Sequence, residues 1–182
     1  MSHSGHRATR QALPAWARSP LVRLLMVSSM SLPMALTARA DGVPLRTLDG
    51  RDTTLAAQAD AGRWTLVMMW TTYCGVCRRQ YPVVSAFHDR HRDRDARVVG
   101  IALDGYEALD DVRAYVAKKP FTFPTVVGEA DTIGAAFTQA TGDPFTGTPT
   151  YLLFNPARQL VAAKSGDVTL DALERSISQE RP

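Results

Sequence analysis

Both cysteines of the 182-residue chain, Cys74 and Cys77, lie in the stretch Leu66-Val-Met-Met-Trp-Thr-Thr-Tyr-Cys-Gly-Val-Cys-Arg-Arg-Gln-Tyr-Pro82. The apolar run Trp64–Trp70 has the length and composition of a buried strand. Helical spacing follows, since Cys77 and Tyr81 are four positions apart and would share one helix face. Cys74 is therefore predicted to lie where a buried strand passes into a helix.

This position predicts a reactive thiol at Cys74. The first turn of a helix has unpaired N–H groups and a partial positive charge, which favour an anion. A free cysteine ionises near pH ~8.5, and both a helix N-terminus and a Cys-X-X-Cys arrangement lower that value. We therefore predict Cys74 as the nucleophile and Cys77, one turn further on, as the thiol that resolves a mixed disulfide.

Residues 1–40 have the pattern of a secretory signal peptide. They contain five arginines and no acid, and a mostly apolar stretch from Leu24 to Ala38 ends in the small-X-small sequence Ala38-Arg39-Ala40. Cleavage is expected before Asp41, giving a periplasmic or similarly exported protein. An uncleaved membrane anchor is the alternative, although the apolar stretch is shorter than the ~20 residues that span a bilayer.

The signal segment also accounts for the positive net charge. The chain has 21 Lys+Arg and 18 Asp+Glu, so subtracting the five arginines leaves 16 against 18, a net charge of −2 for residues 41–182. No basic tract remains that would favour a nucleic-acid partner. Residues 41–182 have the length of one domain, and two cysteines three positions apart cannot staple a fold.

The pattern of residues 41–182 predicts an α/β domain whose mixed sheet has helices on its faces. Asp49-Gly50 predicts a hairpin turn inside Leu45–Leu55, ahead of the first central strand. The further predicted strands are Arg97–Leu103, Phe123–Val127, Thr150–Phe154 and Leu160–Lys164, and the predicted helices are Cys74–His91, Glu107–Lys118, Ile133–Ala140 and Leu170–Ile177.

Metal and haem sites are not expected on this chain. A c-type haem site needs Cys-X-X-Cys-His, and Arg78 occupies the histidine position. His88 and His91 follow the cysteines with spacings shorter than those of a zinc finger, and they lie in a charged segment that predicts a solvent-exposed helix end. We expect no cofactor other than the redox-active Cys74–Cys77 disulfide.

Four features together resemble the thioredoxin superfamily. They are Trp70 four residues before Cys74, the Cys-Gly-Val-Cys sequence, Pro82 five residues after Cys77, and Gly147-Thr148-Pro149-Thr150 before a late strand. The exported N-terminus, the leading hairpin and the central insertion from about Asp104 to Val127 resemble the TlpA-like disulfide reductases of the bacterial envelope. The resemblance covers essentially all of residues 41–182.

The resemblance implies roles for residues outside the cysteine pair. Thr148–Pro149 would be a cis peptide bond facing the cysteines, with Thr148 free to pair with an extended substrate. Trp70 and Tyr73 would support the active site or contact the substrate.

The sequence offers one candidate for proton transfer at the pair. Met68 stands where many cytoplasmic thioredoxins have a buried acid, so that acid is missing. Glu107 resembles the acid that some envelope members place near their cysteines, which makes it a candidate for proton transfer. An acid in a first helical turn also complements the helix dipole, and this structural role stays open.

A peroxidase is a rival interpretation, because Thr71 precedes Cys74 by three residues as in peroxiredoxins. The proline of that family seven residues before its cysteine is Val67 here, and Cys77 is too near to suit the usual distant resolving cysteine. We therefore predict a monomeric protein-disulfide reductase. By resemblance it would receive electrons from a membrane thiol–disulfide transducer and act on apocytochrome c, in cytochrome c maturation, or on another exported thiol protein.

Three alternatives to a reductase remain. A non-catalytic interaction domain would tolerate Cys74→Ser without loss of function. A thiol oxidase or isomerase would use the same cysteine pair in the opposite direction, and only the reduction potential distinguishes it. A copper- or zinc-binding module would hold a metal on the two thiolates.

Overall fold

The computed structural model describes residues 42–119 and 121–179, and the predicted signal segment 1–40 lies outside them. Seven strands form one mixed sheet in the order β2-β1-β5-β4-β3-β6-β7. The strands are β1 Pro44–Thr47, β2 Asp52–Thr54, β3 Trp64–Trp70, β4 Ala96–Ala102, β5 Thr125–Val127, β6 Thr150–Phe154 and β7 Leu160–Ser165. The helices are α1 Leu55–Gln58, α2 Gly75–His91, α3 Leu109–Ala117, α4 Ala130–Thr141 and α5 Leu170–Gln179. This is the predicted α/β architecture.

The centre of the sheet is β3, which is buried along its whole length. It pairs in parallel with β4 and antiparallel with β6, so both of its edges are covered. Successive side chains of a strand point to opposite faces. Leu66, Met68 and Trp70 accordingly join one apolar cluster, and Val67 and Met69 join the other. A strand that is apolar at every position is what two covered faces require.

Helices cover each face of the sheet. The first cluster contains Tyr81, Val84 and Phe87 of α2, Val112 of α3, and Leu173 and Ile177 of α5. The second cluster contains Leu55 of α1 and Ile133 and Phe137 of α4. Among the described residues no helix is long and apolar enough to cross a membrane.

The predicted hairpin is confirmed, because β1 and β2 pair antiparallel around Gly50, whose φ of 88° favours glycine. The insertion differs from the prediction at its start. A single 3₁₀ turn, Tyr106–Ala108, precedes α3, which begins at Leu109. Helix α1 was not expected, since four residues are too few to give a periodic pattern. Its N-cap is Thr54, which accepts a hydrogen bond from Ala57 N.

Candidate active site

The two cysteines form a disulfide at the start of α2, with a Cα–Cα distance of 5.3 Å. Cys74 is the N-cap of the helix, and its Sγ accepts a hydrogen bond from Cys77 N at 3.0 Å. Cys74 is 9% exposed, whereas Cys77 is fully buried. Because an external disulfide reaches the more accessible cysteine first, this difference favours Cys74 as the attacked and attacking residue.

The Thr148–Pro149 segment lies beside Cys74, and its peptide bond is cis, as the resemblance implies. Cys74 Sγ is 3.6 Å from the carbonyl oxygen of Thr148. Thr150 Oγ1 donates to the carbonyl oxygen of Gly147 at 2.6 Å, and Gly166 N donates to the carbonyl oxygen of Pro149 at 2.9 Å. These bonds hold the loop in place where it faces the disulfide.

The two aromatic residues next to the pair occupy opposite environments. Trp70 is fully buried at the end of β3, with its ring 5.6 Å from Tyr81 and 5.1 Å from Phe121 between centroids. Tyr73 is 80% exposed. Trp70 is therefore suited to the predicted role of packing beneath the active site, and Tyr73 is suited to the predicted role of contacting the substrate.

The buried hydroxyl groups of two tyrosines, Tyr81 of α2 and Tyr115 of α3, lie behind the pair. Tyr81 follows Cys77 by one turn, and its ring is 6.4 Å from that of Tyr115. Burial raises the pKa of Tyr81, Tyr115 and the negative charge of Asp104 raise it further, and the positive charge of Arg78 opposes the shift. Asp104 and Arg78 are thus both near enough to Tyr81 to influence its ionisation.

Arg78 is an exposed residue whose guanidinium turns back over the cysteine loop. A Cβ atom at Gly75 would lie 3.8 Å from Arg78 Nη2. The positive charge is thus beside Gly75, the first of the two residues between the cysteines.

Asp104 is the residue that sequence reasoning missed. It accepts hydrogen bonds from Thr72 N, at 3.1 Å to Oδ1 and 3.2 Å to Oδ2, and from Thr72 Oγ1 at 2.5 Å. Glu107, the predicted candidate for proton transfer, is exposed in the 3₁₀ turn that follows. The carboxylate that contacts the loop before Cys74 is that of Asp104. A carboxylate at the end of the second parallel strand was the available signal.

The prediction that His88 and His91 lie on a solvated surface is wrong, because both are buried. His88 Nδ1 accepts a hydrogen bond from Val98 N at 3.1 Å. His91 is 2.7 Å from Asp95 through Nδ1 and 2.7 Å from Glu174 through Nε2, so it joins α2 to α5. Both histidines continue the helix face of Cys77, Tyr81 and Val84, and that spacing was the overlooked signal.

In the described part of the chain, no group of three or more His, Cys, Asp or Glu side chains is arranged to hold a metal ion. The chemistry that the arrangement offers is exchange between the Cys74–Cys77 disulfide and an external thiol or disulfide.

Several known proteins with similar sequences or structures have thiol–disulfide names. Sporulation thiol-disulfide oxidoreductase A of Bacillus subtilis is 23% identical over 131 residues, which are 71% of this chain and 74% of that protein. A thiol:disulfide interchange protein of the thioredoxin family from Chlorobium tepidum has a TM-score of 0.61 and 21% identity, covering 75% of this chain and 92% of the other.

A third similar protein is the exposed lipoprotein thioredoxin Etrx1 of Streptococcus pneumoniae. Its structure has a TM-score of 0.59 and 16% identity, with coverage of 75% of this chain and 97% of the other. These structural likenesses show that the fold is thioredoxin-like.

The sequence profile of the AhpC/TSA family matches residues 36–163. The match extends over more than half of the chain and includes β3, the cysteine pair, the insertion and the cis-proline loop. The chain therefore belongs to the AhpC/TSA family.

Proposed function

We propose that this protein is an exported thiol–disulfide oxidoreductase that reduces protein disulfides. The observation that carries the proposal is the asymmetry of the pair, with Cys74 9% exposed at a helix N-terminus and Cys77 fully buried behind it. The thiol–disulfide names of the similar proteins support the same chemistry.

In the reduced protein, the Cys74 thiolate attacks one sulfur of a substrate disulfide. An S–S bond forms between Cys74 and that sulfur, and the other substrate sulfur leaves as a thiolate. Cys77 then loses its proton and attacks Cys74 Sγ, which expels the second substrate thiol and leaves the Cys74–Cys77 disulfide. Two electrons pass from the dithiol to the substrate, and the helix N-terminus stabilises the attacking thiolate.

The loop beside Cys74 offers a binding mode for the substrate. Thr148 turns its carbonyl oxygen toward Cys74 Sγ. An extended peptide that pairs with the backbone of Thr148 would lie across the cysteine, in the manner of an added strand. Tyr73, 80% exposed, would contact the side chains next to the substrate cysteine.

The compartment and partners belong to the same proposal. The basic and apolar pattern of residues 1–40 supports export, and one similar protein is described as an exposed lipoprotein. A reductase in an oxidising compartment needs an electron source, which we take to be a membrane thiol–disulfide protein. Apocytochrome c or another exported thiol protein would be the substrate of a monomeric enzyme. Cell fractionation, with the mass of the isolated protein, tests export and cleavage before Asp41.

The cysteine roles are tested by trapping. We expect Cys77→Ser to accumulate mixed disulfides with exported proteins, since nothing resolves the bond at Cys74, and Cys74→Ser to lose insulin reduction. The double variant Cys74→Ser/Cys77→Ser is the matched control and should trap nothing. If Cys77→Ser captures no protein from a periplasmic extract, the proposed roles are wrong.

The direction of transfer is tested by the reduction potential of the pair, measured against glutathione or dithiothreitol. A value near about −270 mV supports a reductase, and one near about −120 mV makes the protein an oxidant.

A further inference from the structure

Asp104 lies next to the cysteine loop because of the register of two parallel strands. Trp70, the last residue of β3, is opposite Ala102, the last residue of β4. Leu103 N continues the pairing by donating to the carbonyl oxygen of Trp70 at 2.8 Å. The residues that follow both strands therefore leave the sheet side by side.

The carboxylate of Asp104 holds the segment between β3 and Cys74. It accepts hydrogen bonds from both the backbone N–H and the hydroxyl group of Thr72. Cys74 N in turn donates to the carbonyl oxygen of Thr71 at 3.2 Å, which closes the turn into α2. Charge-assisted hydrogen bonds of this kind are stronger than those between neutral groups. The turn from Thr71 to Cys74 is thus fixed by Asp104 at its second residue, Thr72.

The other side of Asp104 is fixed as well. Tyr106 N donates to Glu129 Oε1 at 2.8 Å, at the start of α4. Gly105 between them has a φ of 85°, and a Cβ there would lie 3.2 Å from Glu129 Oε2. The loop that carries Asp104 is therefore held both to the cysteine turn and to α4.

The charges around the pair act in opposite directions. The N-terminus of α2 and the guanidinium of Arg78 favour a thiolate at Cys74. The carboxylate of Asp104, bound two residues before Cys74, opposes them. When the thiolate of a dithiol is less stabilised, the reduced form is less favoured relative to the disulfide. The dithiol is then the stronger reductant.

We propose that Asp104 is a positioning residue of the redox site, which holds the Thr72 turn and uses its negative charge to keep the Cys74–Cys77 pair reducing. This inference rests on the proposed reductase function. Met68 of β3 is uncharged and cannot influence the pair through a charge. Asp104 supplies the negative charge instead.

The test compares Asp104→Asn with Asp111→Asn, an equal change of charge on an exposed residue of α3. Two quantities are measured in the full protein: the pH dependence of alkylation of Cys74 and the equilibrium constant with glutathione. Asp104→Asn keeps an acceptor for Thr72 but removes the charge. We expect about a tenfold shift toward the dithiol, which corresponds to about 30 mV, and ionisation of Cys74 at lower pH.

Two further variants separate charge from position. Asp104→Glu restores the charge, so the equilibrium constant should return toward that of the unaltered protein. Thr72→Val removes the hydroxyl that partly neutralises the carboxylate, so Cys74 should ionise at higher pH, the opposite direction to Asp104→Asn. This variant also decides the matter if Asp104→Asn does not fold.

Equal values for Asp104→Asn and Asp111→Asn would overturn the inference, as would a shift of Thr72→Val in the same direction as Asp104→Asn. The proposed function is judged separately. It depends on the potential of the unaltered protein, whereas the inference depends only on the differences between variants.

Discussion

Arg78 and Arg79 follow the cysteine pair and carry the same charge, but only Arg78 is placed over the loop, beside Gly75. We expect Arg78→Gln to lower the thiolate fraction of Cys74 at pH 7 by about threefold or less, because an exposed charge is screened by solvent. The rate of alkylation by iodoacetamide, measured against pH on the reduced protein, checks this. Arg79→Gln is the matched control and should leave the rate unchanged, so an equal effect of both variants contradicts the placement.

His88 makes the stability of the protein depend on pH. Its pKa is lowered from the ordinary value of 6.5, first by burial and further by two arginines, Arg92 and Arg97, against the opposing charges of Asp89 and Asp93. The folded protein therefore binds a proton at His88 less readily than the unfolded chain does. This contribution to stability is complete above about pH 6.5, and it is lost progressively as the pH falls from that value through the lower pKa of the folded protein.

We therefore expect the urea midpoint of the protein to fall between about pH 7.5 and 5.5. His88→Asn keeps an acceptor for Val98 N but does not titrate, so its midpoint should fall by less over the same range. Equal slopes for the two proteins would mean that other groups carry the pH dependence.

At the scale of elements, prediction succeeded where local pattern and burial agree. Trp64–Trp70 and Thr150–Phe154 were predicted with their observed bounds, because each is a short apolar run between turn residues. The start of α2 was predicted within one residue, since Cys74 is its N-cap.

Prediction failed where distant elements meet. Asp104 contacts Thr72 across 32 positions of sequence, and only the parallel register of β3 and β4 brings the two together. The burial of His91 depends on α5, which supplies Glu174. Because the residues next to His91 in sequence are charged, the segment was predicted to be solvent-exposed, although His91 itself lies on the buried helix face.

Gly100 in β4 makes room for a cluster of aromatic rings formed by Trp70, Tyr81, Phe121 and Phe123. A Cβ at this position would lie 2.9 Å from Thr125 Oγ1 and 3.0 Å from both Phe123 Cε2 and Trp70 Nε1. We expect Gly100→Ala to lower the free energy of unfolding by about 1–3 kcal/mol, because the buried ring of Trp70 must shift. Urea unfolding followed by tryptophan fluorescence measures this.

Gly134→Ala in α4 is the control for the same change in side chain. The atoms nearest to its Cβ would belong to Phe145, the first of them at 3.4 Å, which is an ordinary contact. Alanine also favours a helix over glycine, so stability should stay the same or rise by up to about 1 kcal/mol. A loss at Gly134 as large as that at Gly100 would contradict the argument from packing.

At the scale of the whole molecule, folding and oxidation of the Cys74–Cys77 pair form a closed thermodynamic cycle. If the folded protein favours the disulfide more than the unfolded chain does, the oxidised protein is more stable than the reduced one by the same free energy. An oxidant of the DsbA kind has the opposite order, because its reduced form is the stabilised one. Chemical unfolding of the two redox forms therefore tests the direction of electron transfer without any substrate.

We expect the oxidised protein to be more stable than the reduced protein by up to about 2 kcal/mol, because the disulfide closes only a short loop. Cys77 is fully buried and Cys74 caps the helix as part of the disulfide, while the charge of Asp104 near the turn disfavours a thiolate in the reduced form. Urea unfolding with and without dithiothreitol gives the difference, and Cys74→Ser/Cys77→Ser, which has no disulfide to reduce, must give the same curve in both. A reduced protein that is more stable than the oxidised one would indicate an oxidant and would contradict the proposed reductase function.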